Sequence, residues 1–173
     1  VYDANAELRK VGSFHAIRVS SGIRLIMKQG DEEAVAVSAA NREWRDAIRT
    51  EVVNGVLKIY FDNHWYDNWK WSENRKLKAY VSFKQIDQLH GSSGSSTQVE
   101  GTLKGNDLTL ELSSGAGFEG EVESSKLRID ASSGATGRVS GKAQTASVEA
   151  SSGASVRAYE LESETCDADA SSG

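Results

Sequence analysis

The chain has 173 residues, of which 26% are charged and 38% apolar, and its formal net charge is −5. This balance is typical of a folded protein with a sizeable core, as one domain or two small ones. No apolar run approaches the length that spans a membrane, and no signal peptide is visible in the sequence as given. Residues 92–173 carry 6 Lys and Arg against 13 Asp and Glu. Such an acidic segment argues against nucleic acid as a partner.

The first half predicts short strands and one helix. Apolar and polar residues alternate over residues 14–19 and again over residues 77–83, which is the period of a strand. Residues 41–48 predict a short helix capped by Asn41. Asn54-Gly55 between β-branched flanks predicts a tight hairpin.

An aromatic segment follows this hairpin: six of the twelve residues from 60 to 71 are aromatic. Rings mixed with Asn, Asp and His form a plausible contact surface for a glycan or a protein. The alternative is that the rings fold back and cover the open end of the coil or an exposed sheet. The candidate contact residues are His64, Trp65, Tyr66, Trp69 and Trp71.

The tripeptide Ser-Ser-Gly then recurs five times, beginning at residues 92, 113, 132, 151 and 171. The steps between its occurrences are 21, 19, 19 and 20 residues. A nearly constant period of this size is typical of a solenoid, in which each repeat buries its apolar face by stacking on its neighbours. Apolar residues between the tripeptides alternate, as at Leu108, Leu110 and Leu112. The sequence therefore predicts an all-β fold, a β-helix with rungs of about 20 residues.

The tripeptides are interpreted as the corners of the coil. Glycine adopts positive φ without a steric penalty, and serine hydroxyls can bond backbone groups left unpaired at a bend. We expect turn chemistry here and no catalytic serine, because no histidine lies beyond His90. The corner glycines are Gly94, Gly115, Gly134, Gly153 and Gly173.

Two parts follow from this pattern. Residues 1–91 are expected to form an irregular, β-rich N-terminal part continuous with the coil. Residues 92–173 are expected to form the repeat β-helix, with four repeats and the start of a fifth that is truncated at Gly173. Cys166, the single cysteine, occupies an inward position equivalent to Leu108 and Leu127, so we expect it to be a small core residue.

These motifs resemble a known family. The opening VGSFHAIRVSSGIRLIMKQGD, the hairpin TEVVNGVLKIYFDN, the strand KLKAYVSF and the serial SSGA repeats are similar to the bacterial domain of unknown function called the putative auto-transporter adhesin head, or GIN, domain. The resemblance covers nearly the whole chain. It implies a β-helical, exported protein of the periplasm or cell surface, common in Bacteroidetes-type bacteria, with a name that suggests adhesion and no established catalytic residues.

A column of acidic residues is predicted on the outside of the repeats. One acid stands two residues before each of the last four Ser-Ser-Gly tripeptides, and in register these acids would stack one strand spacing apart. Such a column could hold calcium. The alternative, which we favour, is that the side chains splay into water and that Arg128 offsets part of their repulsion, so we expect no metal site and no cofactor. The acids are Glu111, Asp130, Glu149 and Asp169.

Two functions from different classes fit these features. The first is a non-catalytic, extracytoplasmic β-helix that serves in adhesion or as an interaction scaffold, with a glycan or a surface protein as partner. The second is a polysaccharide-active enzyme, a lyase or glycosidase, since β-helices host both. The regularity of the repeats favours the first, because an active site usually breaks the local pattern. Self-association through the end rungs is a further expectation, because their strand edges need a partner or a cap.

Overall fold

A computed structural model describes residues 2–63 and 74–172 of the chain. This part contains twelve strands and one helix. In chain order they are β1 (Glu7–Arg9), β2 (Ala16–Val19), β3 (Arg24–Gln29), β4 (Ala34–Ser38), α1 (Arg42–Ala47), β5 (Ile48–Val53), β6 (Val56–Phe61), β7 (Lys78–Phe83), β8 (Gln88–Gly91), β9 (Ser96–Leu112), β10 (Gly117–Ala131), β11 (Thr136–Ser151) and β12 (Ser155–Ser171).

The four long strands, β9 to β12, stack in parallel as successive rungs of a coil. The rungs share one register, so that Leu127 of β10 lies opposite Leu108 of β9 and Ala146 of β11. All three side chains are buried. Equivalent inward residues therefore meet in columns, and the predicted β-solenoid is confirmed.

Each rung has three straight stretches. In β10 these are residues 117–119, 121–124 and 126–131, separated by positions at which the regular pairing is interrupted. The stacked stretches form three sides of the coil, which we name the first, second and third side in that order. Alternate residues on each side point inward to the core or outward to solvent.

The Ser-Ser-Gly corners are tight turns between the third side of one rung and the first side of the next. The N–H of Ala135 donates to the carbonyl oxygen of Ser132 over 3.1 Å, and both central residues have positive φ, 52° at Ser133 and 73° at Gly134. This is the geometry of a type I′ turn. Positive φ is confirmed at four of the predicted corner glycines, Gly94, Gly115, Gly134 and Gly153, whereas Gly173 lies outside the described residues.

Backbone groups satisfy these corners. The N–H of Gly115 donates to the carbonyl oxygen of Ser133 on the next rung over 3.0 Å, and the N–H of Gly134 donates to that of Ser152 over 3.1 Å. Within the described residues, no hydroxyl of a repeat tripeptide bonds a backbone group, so that part of the prediction is wrong. The stacked rungs already supply partners for the corner amides, which leaves the hydroxyls to solvent.

The N-terminal strands continue the same sheet in two branches. β3 pairs with the first side of β9, and β7, β4 and β1 follow outward from β3. β8 pairs with the third side of β9, and β2, β6 and β5 follow outward from β8. The outermost pairs in both branches are antiparallel, because short hairpins and reversals replace the long rungs there.

Two local predictions in this half are confirmed. The Asn41 side chain accepts a hydrogen bond of 2.8 Å from the N–H of Trp44, which caps α1. Asn54 and Gly55 have φ of 51° and 76° and join the antiparallel strands β5 and β6.

The predicted core position of Cys166 is wrong, because this residue is exposed. Cys166 lies opposite the buried Ala146, so its register is as expected. Among the described strands, however, β12 pairs only with β11. An inward position becomes buried when rungs cover it on both sides, and β12 has a described neighbour on one side only.

Candidate functional site

The structure describes only the first residues of the aromatic segment, and most of the segment is therefore not placed relative to the rest of the fold. His64, Trp65, Tyr66, Trp69 and Trp71 lie outside the described residues, so their role stays a prediction. Of the six aromatic residues in the segment, the two described ones belong to β6. Phe61 is buried, and the Arg75 guanidinium lies 4.7 Å from the centre of its ring.

The acidic column on the third side is in register, as predicted. Asp130 lies opposite Glu111 and Glu149, and Glu149 lies opposite Asp169. Toward the N-terminal strands the column continues through His90, Arg18 and Lys58. The outward face of the third side thus changes from basic to acidic along the coil.

A cation offsets part of the repulsion within this column, because an Arg128 guanidinium nitrogen lies 3.9 Å from Asp130 Oδ2. His90 Nδ1 lies 3.5 Å from Glu111 Oε2, a contact that is an ion pair only when the imidazole is protonated. In the part of the chain that the structure describes, no three His, Cys, Asp or Glu side chains are placed to hold a metal ion. The acids therefore form an extended charged ridge and do not converge on one point.

A second feature lies on the first side and its corner with the second side. Two adjoining hollows, of about 600 Å³ and about 620 Å³, share Gln98, Glu119, Arg138 and Arg157. We call them together the arginine groove. The exposed residues Ser96, Thr136 and Ser155, together with Gly117, also line the first of these hollows. Its charged lining residues are Arg24, Glu119, Glu121, Arg138, Arg157 and Glu160, and its aromatic ones are the buried Phe118 and the exposed Tyr159.

Two arginines of the groove come from successive rungs, and the third, Arg24, lies on β3 beside β9. Arg157 of β12 lies directly opposite Arg138 of β11, and both side chains are exposed. Neither side chain makes an ion pair or a hydrogen bond to another described residue. Arg138 lies opposite Glu119 on its other side, but these two form no ion pair either. Arg24 donates a hydrogen bond of 3.1 Å to Gln98 Oε1.

This arrangement has a physical cost. Neighbouring strands are about 4.8 Å apart, and like charges directly opposite each other destabilise a sheet. Arg138 and Arg157 are adjacent cations without an intramolecular partner in the described structure. They can therefore bind an anion without first breaking another contact.

Tyr159 is the exposed ring of the groove, with 92% of its surface accessible. It lies where the pairing of β11 with β12 shifts, because two residues separate Arg157 from Glu160 whereas one separates Arg138 from Ser140. The extra residue in β12 widens the corner between the first and second sides and carries the ring outward into the second hollow.

The sequence patterns described above do not predict this groove, although the spacing of the tripeptides carries a signal of it. The step of 20 residues between the last two tripeptides exceeds the preceding step of 19 by the one extra residue beside Tyr159. The first step of 21 reflects two extra residues at the same corner of β9, where three residues stand against Gly120 alone. The irregularity of the repeat is therefore concentrated at this corner.

The stacked rungs and outward columns define a β-solenoid with elongated surfaces. The chain belongs to the family described as the putative auto-transporter adhesin, head GIN domain, whose model matches residues 13–173. No curated protein sequence matches the chain. Among the described residues, no helix is long and apolar enough to cross a membrane.

Solved structures share the fold at low sequence identity. A putative adhesin from Bacteroides fragilis has a TM-score of 0.85 at 14% identity, with coverage of 95% of this chain and 75% of that one. A putative adhesin from Parabacteroides distasonis has a TM-score of 0.73 at 17% identity, covering 95% and 77%. A putative lipid binding protein from the same species has a TM-score of 0.70 at 16% identity, covering 97% and 79%. The family and two of these structures are thus named for adhesion.

Proposed function

We propose that this chain is a non-catalytic interaction module that works outside the cytoplasm, in the periplasm or at the cell surface, and holds its partner on the outside of the coil. The arginine groove is the observation that carries this proposal. Two adjacent, exposed guanidiniums that have no ion pair or hydrogen bond to another described residue, next to an exposed tyrosine ring, suit a binding surface. The name of the family supports adhesion as the purpose of such binding.

The groove suits binding better than catalysis. A glycosidase needs two carboxyl groups at a defined separation, one of them protonated, and burial is a common means of keeping it protonated. Glu119, Glu121 and Glu160 are all exposed in the groove. Glu121 also accepts a hydrogen bond of 3.1 Å from the Thr102 hydroxyl, which holds its carboxylate toward the neighbouring rung.

The location is tested in the bacterium that produces the native protein. Proteinase K added to intact cells, and release by osmotic shock, distinguish surface and periplasmic protein from cytoplasmic protein. We expect either digestion or release. Retention with cytoplasmic markers in both treatments would contradict the proposal.

The mode of action is tested with a strain that lacks the gene and a strain that is complemented. We expect the deletion to reduce attachment of cells to immobilised polysaccharide or to partner cells, and complementation to restore it. Purified chain incubated with the same polysaccharides should release neither reducing ends nor unsaturated products. Turnover of any of them would favour the polysaccharide-active enzyme instead.

A further inference from the structure

The two hollows of the arginine groove differ in chemistry. The first hollow, on the first side, contains the cations Arg24, Arg138 and Arg157 and a single acid, Glu119. The second hollow, at the corner, shares Arg138 and Arg157 but adds the Tyr159 ring and further carboxylates. A ligand that fills both must therefore offer an anionic group to the first hollow and an uncharged group to the second.

The first hollow is suited to a carboxylate. Guanidinium groups bind carboxylates through two parallel N–H···O bonds, and such charge-assisted bonds are among the stronger ones in proteins. An anion bridging Arg138 and Arg157 would also relieve their mutual repulsion across the rungs. Hydroxyls of Thr136 and Ser155, which lie opposite each other in this hollow, add neutral hydrogen-bonding groups beside the charge.

The second hollow is suited to the ring of a sugar. Aromatic side chains offer a flat apolar face together with a polar tip, and an isolated exposed ring lacks the burial that usually stabilises it. Glu121 and Glu160 lie beside Tyr159 and are acceptors only. Sugar hydroxyls are donors, so they complement these carboxylates, whereas a second anionic group at this position would be repelled.

We infer that the arginine groove binds an acidic saccharide of the uronic acid class, with the sugar carboxylate on Arg138 and Arg157 and a neighbouring ring on Tyr159. This inference rests on the proposed function and specifies its ligand. A nucleic acid or another uniform polyanion would place charge against Glu121 and Glu160. A neutral glycan would leave the arginine pair without a partner.

Binding is measured by isothermal titration calorimetry with tetragalacturonate and with neutral galactotetraose of the same linkage. We expect the acidic sugar to bind at least tenfold more tightly, and its affinity to fall as salt rises, because salt screens exposed charges. Changing both Arg138→Gln and Arg157→Gln should remove at least nine-tenths of the affinity for the acidic sugar. Tyr159→Ala should weaken it about threefold to tenfold, since one stacked aromatic contact contributes about 1 kcal/mol.

Arg128→Gln is the matched control. Arg128 is an exposed arginine of the same coil, but it lies on the third side beside Asp130. Its loss should leave affinity within twofold of the unchanged chain. Thermal unfolding of each variant verifies the fold, and these outward positions should lower Tm by no more than a few degrees.

Three results would overturn the inference. Equal affinity for the acidic and neutral sugars would remove the role of the carboxylate. Loss of affinity in a Trp65→Ala/Trp69→Ala/Trp71→Ala variant, with the arginine variant unaffected, would place the ligand on the aromatic segment. Cell attachment that depends on the gene, without binding of either sugar by the purified chain, would reject the ligand class. In each of these cases the proposed interaction function would stand. A cytoplasmic location would instead reject the proposed function, whereas sugar binding measured with the purified chain would be unaffected by that result.

Discussion

The N-terminal part and the repeats belong to one sheet but are held together differently. In the N-terminal part, polar side chains join segments that are distant in sequence. The Asp3 carboxylate accepts hydrogen bonds from the Ser38 hydroxyl over 2.7 Å and the Tyr80 hydroxyl over 2.9 Å. The Arg9 guanidinium donates to backbone carbonyl oxygens of Arg45 and Ile48 over 3.1 and 3.2 Å.

In the repeats, the backbone hydrogen bonds between rungs and the columns of buried apolar side chains hold the strands together. Leu110 and Ile129 lie opposite each other and are both fully buried. A regular rung inherits its register from the rung beside it, so it needs few specific side-chain contacts. An irregular strand has no such template, and polar contacts must determine its position. We therefore expect that truncating a buried apolar side chain in the repeats lowers the free energy of unfolding more than removing a polar contact in the N-terminal part does.

The largest effect is expected from Leu127→Ala. Leu127 is buried in β10 between two described rungs, and truncation of a buried leucine costs about 3–5 kcal/mol through lost burial and the cavity left behind. Urea unfolding gives the change in the free energy of unfolding. The matched variant is Leu161→Ala in β12, a partly buried leucine that should cost less than half as much. Equal losses would mean that cover on both sides is not what stabilises a rung.

The next largest loss of stability is expected from Gly141→Ala. Gly141 has φ of 109°, and a Cβ there would lie 2.0 Å from the carbonyl oxygen of Val122 on the neighbouring rung. Overpacking against backbone together with positive φ should cost about 3 kcal/mol or more. Gly134→Ala is the control, because its φ of 73° is also positive but no atom lies within 4 Å of its Cβ. It should cost about 1–2 kcal/mol in the same unfolding experiment.

The regular part of this fold could be predicted from the sequence because a repeat states the same local rule several times. The tripeptide period gave the rungs, the corner glycines and the acidic column in register. Cys166 shows the limit of this reasoning, since periodicity predicts which way a side chain points but not whether a neighbouring rung covers it.

The arginine groove shows a different limit. Arg138 and Arg157 are 19 residues apart in sequence, and their adjacency depends on the register of β11 with β12. The bulge that presents Tyr159 lengthens one repeat by a single residue. In the sequence alone such a change is the same as ordinary variation in repeat length, because only the structure shows at which corner the extra residue lies. The pairing of Asp3 with Tyr80 carries no sequence pattern at all.

A smaller effect is expected from Asp3→Asn. Partial burial opposes ionisation of Asp3, but hydrogen bonds from Ser38, Tyr80 and the N–H of Asn5 outweigh it and hold the pKa of the carboxyl below its ordinary value. A lowered pKa means that the charge stabilises the fold above the ordinary pKa of about 3.9, and that this contribution is lost as pH falls through the folded-state pKa.

We therefore expect Asp3→Asn to cost about 1 kcal/mol at pH 7, because the bonded carboxylate is partly exposed, and to cost less in acid. Urea unfolding at pH 7 and in acid measures the free energy of unfolding of each variant under the two conditions. Asp31→Asn, at an exposed turn, is the control and should change little at either pH. An Asp3→Asn penalty that is the same at both pH values would show that charge does not contribute to this contact.

The smallest effect is expected at the surface contact of His15 with Asp87, whose Nδ1 and Oδ1 atoms are 3.0 Å apart. The hydrogen bond to Asp87, and then its negative charge, raise the pKa of His15 above its ordinary value. A raised pKa means that the contact stabilises the fold below the ordinary pKa and that this contribution is lost as pH rises through the folded-state pKa. Asp87→Asn should lower the pKa of His15 in an NMR titration, whereas Asp107→Asn should not. If Asp87→Asn left the titration unchanged, side-chain contacts at the exposed surface would contribute nothing to the N-terminal part, and its order would depend on the shielded contacts of Asp3 and Arg9.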